Sequence, residues 1–418
     1  MRFTVPYGEG MQEFETDIPC RVLENASLEA GHSGKIMSEA LSHPLGTKET
    51  FADFVSSTDK LLLIVCDGTR PTPTALVLEH MHKDIRYHPD IGFLIATGTH
   101  RDPTAEEYEL IFGKYFDDFR NRTAVHHSKD KSVLQDMGVT SRGTPVSFNM
   151  AVLEADGIVT INSVEPHYFA GFTGGRKSFL PGIAGFESIE KNHSHATDPG
   201  TAPLAMIGNP VWEDIHEAFD FLKGKRVFTV QTVVLPDGRL HSAFAGDLDE
   251  AFGKAAESAA QIYSVNVQRK ANIVITAAPP PMDRDLYQSQ KAMEHGRLAL
   301  EEGGVLVLVS SCWDGIGDRG FYDLLSRLGE HEDIGKYLGR NYRLGNHKAA
   351  RWLDLCKRFS LWGVTDLDGE VLRTARMRGF ATLQQAVDEA IGHVRSKGRE
   401  PSINLIPNGS FAVPKVTE

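Results

Sequence analysis

Three short apolar runs, each ending in a polar loop and the first two leading on into a helical segment, set the strongest limit on how this chain can fold. They read "LLLIVCDGTRPTP" from Leu61, "IGFLIATGTHRDP" from Ile91 and "GIVTINSVEPHYFAG" from Gly157. An unbroken apolar run bounded by turn residues and followed by a helix is the signature of a parallel strand covered on both faces. The pattern predicts strands over residues 61–65, 91–96 and 157–161. It also predicts a helix from about Thr74, and an N-cap at Asp102 ahead of Pro103 for the helix that follows the second strand. Sheets of this kind collect ligands beyond the carboxyl ends of their strands. Those ends carry Asp67 and Arg70, His100 and Arg101, and Glu165 and His167, so a site built from three strand ends is expected.

The alternation continues. "VFTVQTVVLPDGRLHSAFAGD" predicts two strands around a Pro-Asp-Gly turn, with an alanine-rich helix over 248–262 behind them. After "NVQRKAN" the strand–helix pattern restarts at "IVITAAPPPMDRDLYQSQK". The expected class is therefore α/β, with a first domain over residues 1–270, a second over 271–395, and the tail 396–418 packing back on the first. A chain of 418 residues is long enough for two such cores.

With 44 basic against 56 acidic residues the formal net charge is −12, which argues against nucleic acid or an anionic membrane as the main partner. "MRFTVPYGEG" at the N-terminus lacks the apolar core of a signal peptide, and no apolar run approaches the roughly 20 residues of a spanning helix. The four cysteines are scattered and form no CxxC pair, so reduced thiols and a cytoplasmic location are expected rather than a cysteine-held zinc.

Two glycine motifs need weighing. "GFTGGRKS" fits the phosphate-loop frame G-x-x-x-x-G-K-[ST] except that Arg176 replaces the second glycine, and "SFLPGIAGF" puts Pro181 where a helix should begin. Lys177 is therefore not the lysine of a nucleotide-triphosphate site. "GIGDRG", Gly315 to Gly320, is a literal G-x-G-x-x-G, but it starts several residues beyond its strand and lacks the partner acid about 20 positions on. It reads as a structural turn, and it is also the basis of a rival reading, a nicotinamide-dependent hydroxyacid dehydrogenase. Among 17 histidines no H-E-x-x-H occurs. His100, His167 and His193 stand out because each lies in a small-residue loop at a strand end or just beyond Lys177.

Taken in order, "VPYGEG", "DGTRPTP", "ATGTHR", "PHYFAGFTGGRKSFLPGIAG" with "NHSH" after it, "YQSQK" and "INLIPNG" resemble the nickel-dependent lactate racemase family over most of the chain. The resemblance implies two α/β domains with the active site in the cleft between them. It also implies a nickel pincer nucleotide, the nickel-bound pyridinium-3-thioamide-5-thiocarboxylic acid mononucleotide. On that resemblance Lys177 is the covalent anchor of the cofactor, Asp67, Gly174 and Gly175 are further cofactor contacts, and His193 is the nickel ligand. His100 and His167 correspond to the two acid/base histidines. Arg70, Tyr287, Gln288 and Lys291 correspond to the substrate contacts, with Arg70 and Lys291 as the carboxylate clamp.

The implied activity is racemisation or epimerisation of a 2-hydroxy acid through a keto acid, by an isomerase matured by cofactor-building enzymes. Removing the α-hydrogen as hydride while a histidine takes the hydroxyl proton avoids a carbanion at a very weak carbon acid. Lactate-handling members carry a tryptophan near the substrate. "RLGNHKAARWLDL" offers His347 and Trp352 for that place, and the sequence does not decide between them, so a bulkier 2-hydroxy acid or a sugar acid is equally admissible. A small-acid binding protein without catalysis would leave His100, His167, Lys177 and His193 without purpose.

Overall fold

In the computed structural model, which describes residues 1–25, 31–328 and 334–417, the chain forms two units, Ser27–Ile262 and a second made of Met1–Ala26 with Tyr263–Glu418. The three runs that opened the sequence reading are neighbouring parallel strands of one six-stranded sheet. Their spans are Leu61–Cys66, Ile91–Ala96 and Gly157–Ser163. Leu61–Cys66 lies between the other two, so the three predicted strand ends emerge side by side. Arg226–Val234 extends the sheet beside Gly157–Ser163, and Leu240–Gly246 closes that edge as its antiparallel strand. The strands are apolar because both faces are covered: Leu61, Leu63, Val65, Phe93 and Ile95 pack with Val77, Leu78 and Met81 of helix Thr74–Ile85.

The cap predicted at Asp102 lies two residues further on. Thr104 accepts from the Glu107 amide, and the Glu107 carboxylate accepts from the Thr104 amide, so helix Ala105–Phe112 begins with a reciprocal capping box.

The domain boundaries differ more. The second sheet is wholly parallel, in the order Arg378–Phe380, Ser360–Val364, Leu300–Val309, Ala271–Ala277, Ile403–Ile406 and Cys20–Val22. The tail expected to return to the first domain supplies an internal strand here, and the N-terminal residues supply its edge. The hairpin Arg2–Tyr7/Gly10–Glu15 belongs to the same unit, its Val5 and Phe14 buried with Ile273, Val305 and Leu383. Pairing between chain ends leaves no local mark in the sequence.

Trp352 is fully buried, and its indole N–H donates to the Ala375 carbonyl at 2.8 Å. It is a core residue. His347 is also buried, with Nδ1 2.8 Å from the Tyr342 hydroxyl. On the same helix, Asn346–Arg358, Arg351 grips Glu294 of helix Leu286–Gly296 with contacts of 2.8 and 2.7 Å, and Arg297 adds a third at 3.0 Å. Burial alone would raise the Glu294 pKa, but the Arg351 and Arg297 guanidinium groups outweigh it and hold it down at about 2. The stabilisation is complete above the ordinary value of 4.5 and is lost as pH falls toward 2. Glu294→Gln is expected to cost about 3 kcal/mol at pH 7 by leaving two guanidinium groups unmatched. In urea unfolding the gap to wild type should narrow between pH 5 and pH 3, and a gap independent of pH would disprove the linkage.

Candidate active site

Beyond the carboxyl ends of the first sheet, a small cavity of about 120 Å³ is lined by Asp67, Arg70, His100, Gly174, Lys177 and His193, together with Cys66, Asn162, Ser178 and Ile189. Six of the residues singled out from the sequence are thus brought to one place.

Asp67 follows strand Leu61–Cys66 and is buried. Its Oδ1 accepts from the Thr69 amide at 2.9 Å and from the Thr69 hydroxyl, and its Oδ2 lies 2.8 Å from Nδ1 of His100. Burial pushes the Asp67 carboxyl up, but the hydrogen bonds from His100 and Thr69 outweigh it and hold the group below its usual range. An ionised carboxylate on Nδ1 keeps the proton there and leaves Nε2 as the basic nitrogen. The pairing was not legible in the sequence, because Asp67 and His100 belong to separate loops.

Arg70, on the same loop, donates its backbone amide to the Asp67 carbonyl at 3.2 Å, but its guanidinium makes no hydrogen bond or ion pair among the described residues and is available to an anion. Lys177 sits in a short turn, Gly175–Ser178, held by its backbone, while its side-chain amine makes no hydrogen bond or ion pair among the described residues and lies 6.0 Å from the centre of the Phe169 ring. Burial, and then the charge of Arg70, lower its pKa to about 7. The lysine is therefore substantially a neutral amine near neutral pH, which makes it a nucleophile. His193 closes helix Phe186–Ser194, and burial followed by the Lys177 charge lowers its pKa to about 3, so its ring offers a lone pair to an electrophile or metal.

His167 does not line this cavity. It lies on the hairpin Pro166–His167/Gly171–Phe172, its Nδ1 accepting from the Ala170 amide at 3.3 Å. Phe169 links it to the cavity, with ring centres 4.5 Å from His167 and 5.3 Å from His193. Gly175 is not a lining residue either. Gly174, by contrast, lines the cavity with its backbone. Both have positive φ, and a Cβ would strike Val164 and Gln231 at Gly174, and Phe252 at Gly175. In the direction a side chain would take, protein already fills the space, so the turn's packing requires glycine at both positions.

Tyr287, Gln288 and Lys291 belong to the other unit, on helix Leu286–Gly296. Lys348 extends over the Tyr287 ring, with Nζ 3.5 Å from its centre and 2.7 Å from its carbonyl oxygen. Burial lowers the Lys348 pKa to about 7. The sequence reading did not single out this lysine. "GIGDRG" caps this same helix: the Gly315 and Ile316 carbonyls accept from the Leu286 and Tyr287 amides at 3.0 and 3.1 Å. The helix after the motif begins at Asp318, whose carboxylate accepts from the Phe321 amide at 2.7 Å. A carboxylate stands where a dinucleotide would need its phosphate, which argues against the dehydrogenase reading.

Comparison with known proteins agrees with this geometry. Residues 7–202 match the lactate racemase N-terminal domain and residues 265–413 the lactate racemase C-terminal domain. The lactate racemase of Thermoanaerobacterium thermosaccharolyticum is 33% identical over 343 residues, covering 79% of each chain. The chain belongs to the lactate racemase family. Its membership places it among the isomerases. The lactate racemase of Lactiplantibacillus plantarum is 28% identical over 391 residues, 91% of this chain and 90% of that one. The fold matches the lactate racemase apoprotein of T. thermosaccharolyticum with a TM-score of 0.90 at 29% identity, covering 99% of this chain and 100% of that one. No described helix is long and apolar enough to cross a membrane.

Proposed function

We propose that this chain racemises or epimerises a 2-hydroxy acid at its α-carbon, using a nickel pincer nucleotide. The observation that carries the reading is one cavity holding a carboxylate-supported imidazole, a guanidinium without an ion-pair partner among the described residues, and a lysine amine whose pKa burial lowers to about 7. The donor set fits the cofactor. Lys177 offers the nucleophilic nitrogen for a covalent anchor, and His193 offers a neutral ring nitrogen for nickel. When bound, that group supplies a reversible two-electron acceptor that the amino acids lack.

The chain's own residues do the rest. Arg70 holds the substrate carboxylate. His100, oriented by Asp67, takes and returns the hydroxyl proton through Nε2. His167 does the same for the other enantiomer. Asp67 thus serves the base rather than the cofactor. Tyr287, Gln288 and Lys291 are the substrate contacts contributed by helix Leu286–Gly296. Maturation by cofactor-building enzymes and a cytoplasmic location belong to the same reading.

The test is a panel of single-enantiomer 2-hydroxy acids, lactate and sugar acids included, incubated in deuterium oxide with protein made alongside the cofactor-building enzymes. The expected result is interconversion of isomers without net release of keto acid and without deuterium at the α-carbon. Extensive α-deuteration would point to a carbanion, and NAD-dependent keto acid release would make the chain a dehydrogenase.

A further inference from the structure

Beneath the cavity, the apolar pattern of two interior strands is broken at matching positions. Asn162 and Gln231 are register partners on Gly157–Ser163 and Arg226–Val234, each almost fully buried. Two primary amides at such positions are costly unless hydrogen-bonded. Here the bonds go to the turn that carries Lys177. Gln231 Oε1 accepts from the Gly175 amide at 3.0 Å, and Asn162 Oδ1 accepts from the Ser178 hydroxyl at 2.7 Å. The amides are joined to each other, Gln231 Nε2 donating to Asn162 Oδ1 at 3.3 Å, and Gln231 is braced further by Thr229. Asn162 Nδ2 lies 3.4 Å from Cys66 Sγ on the third strand. Gly174 lies so close that a Cβ there would stand 2.7 Å from Gln231 Oε1.

We infer that Asn162 and Gln231 form a positioning platform that grips both ends of the turn Gly175–Ser178 and sets the direction of the Lys177 side chain. Apolar residues would fill these strand positions at lower cost, and a local rule broken with full hydrogen-bond satisfaction marks a place where geometry is under demand. The purpose assigned to that geometry, anchoring a cofactor, rests on the proposed function. The platform itself stands on the hydrogen bonds.

The experiment uses full-length protein bearing Gln231→Leu, Ser178→Ala or Gln231→Glu. A brief pulse of acetic anhydride on protein made without cofactor enzymes gives the acetylation of Lys177 relative to exposed Lys397, read peptide by peptide. Intact mass of protein made with those enzymes gives the fraction carrying an adduct, and a melting curve accompanies both. In Gln231→Leu and Ser178→Ala the labelling ratio should change at least threefold and adduct loading fall at least tenfold. Gln231→Glu, which keeps the acceptor for the Gly175 amide, should recover most of both. Ser178→Ala keeps the test open if Gln231→Leu does not fold. An unchanged labelling ratio in the folded variants overturns the platform whatever the loading, as does a change that merely tracks a lowered Tm and is not recovered by Gln231→Glu. If wild type itself takes up no adduct, the cofactor reading fails, and the labelling ratio alone decides the platform.

Discussion

Lys177→Met is expected to abolish both the covalent adduct and racemisation while making the unloaded protein more stable. Burial lowers the lysine pKa from 10.5 to about 7, so the folded state carries a penalty that is full below pH 7 and fades as pH rises toward 10.5. At pH 7 that penalty is at most about 4 kcal/mol, and partial contact with water in the cavity reduces it. Methionine keeps most of the apolar stem and removes the charge, so a gain of roughly 2–3 kcal/mol is expected at pH 7. Urea unfolding at pH 6, 7 and 9 checks the stability, with the gain shrinking at the highest pH. Full activity in the variant would remove Lys177 from the chemistry, and no stabilisation at pH 6 would mean that the amine is solvated.

Asp67→Asn is expected to lower kcat roughly 10²-fold or more from either enantiomer, and His100→Gln by roughly 10³-fold, with KM changed far less. The Asp67 carboxylate lies 2.8 Å from Nδ1 of His100, and an amide there can turn its NH2 toward the ring and select the wrong tautomer. Neither change touches Lys177, so adduct formation should persist, which separates loss of the base from loss of the cofactor. Initial rates measured from each enantiomer supply the check. Rates within threefold of wild type for both variants would take His100 out of proton transfer.

Much of this site was readable before any coordinates, because the information is local. An apolar run ending in a polar loop fixes both the strand and the place where its first polar side chains emerge, so Asp67, Arg70 and His100 could be placed on one sheet edge. What joins separate loops was not readable. The Asp67–His100 hydrogen bond and the Asn162–Gln231 register depend on which strands are neighbours. Asn162 falls just beyond the strand expected over 157–161, and nothing local says what it or Gln231 grips. That Gly174 and Gly175 are required by their packing against Gln231 and Phe252 is likewise invisible without the neighbours. The domain division moved for the same reason: no periodicity near residue 20 or residue 403 reveals that they pair.

That pairing has a bearing on the order in which the chain can acquire structure. Strand Cys20–Val22 leaves the ribosome long before its partner Ile403–Leu405 is made. The unit Ser27–Ile262 is continuous and has every strand of its sheet once residue 246 is made, so it can mature during synthesis. The other sheet must wait, its edge strand without its partner until residue 405 is made. The cavity with Lys177 is therefore complete on the nascent chain well before the helix bearing Tyr287 and Lys291 has a finished sheet behind it.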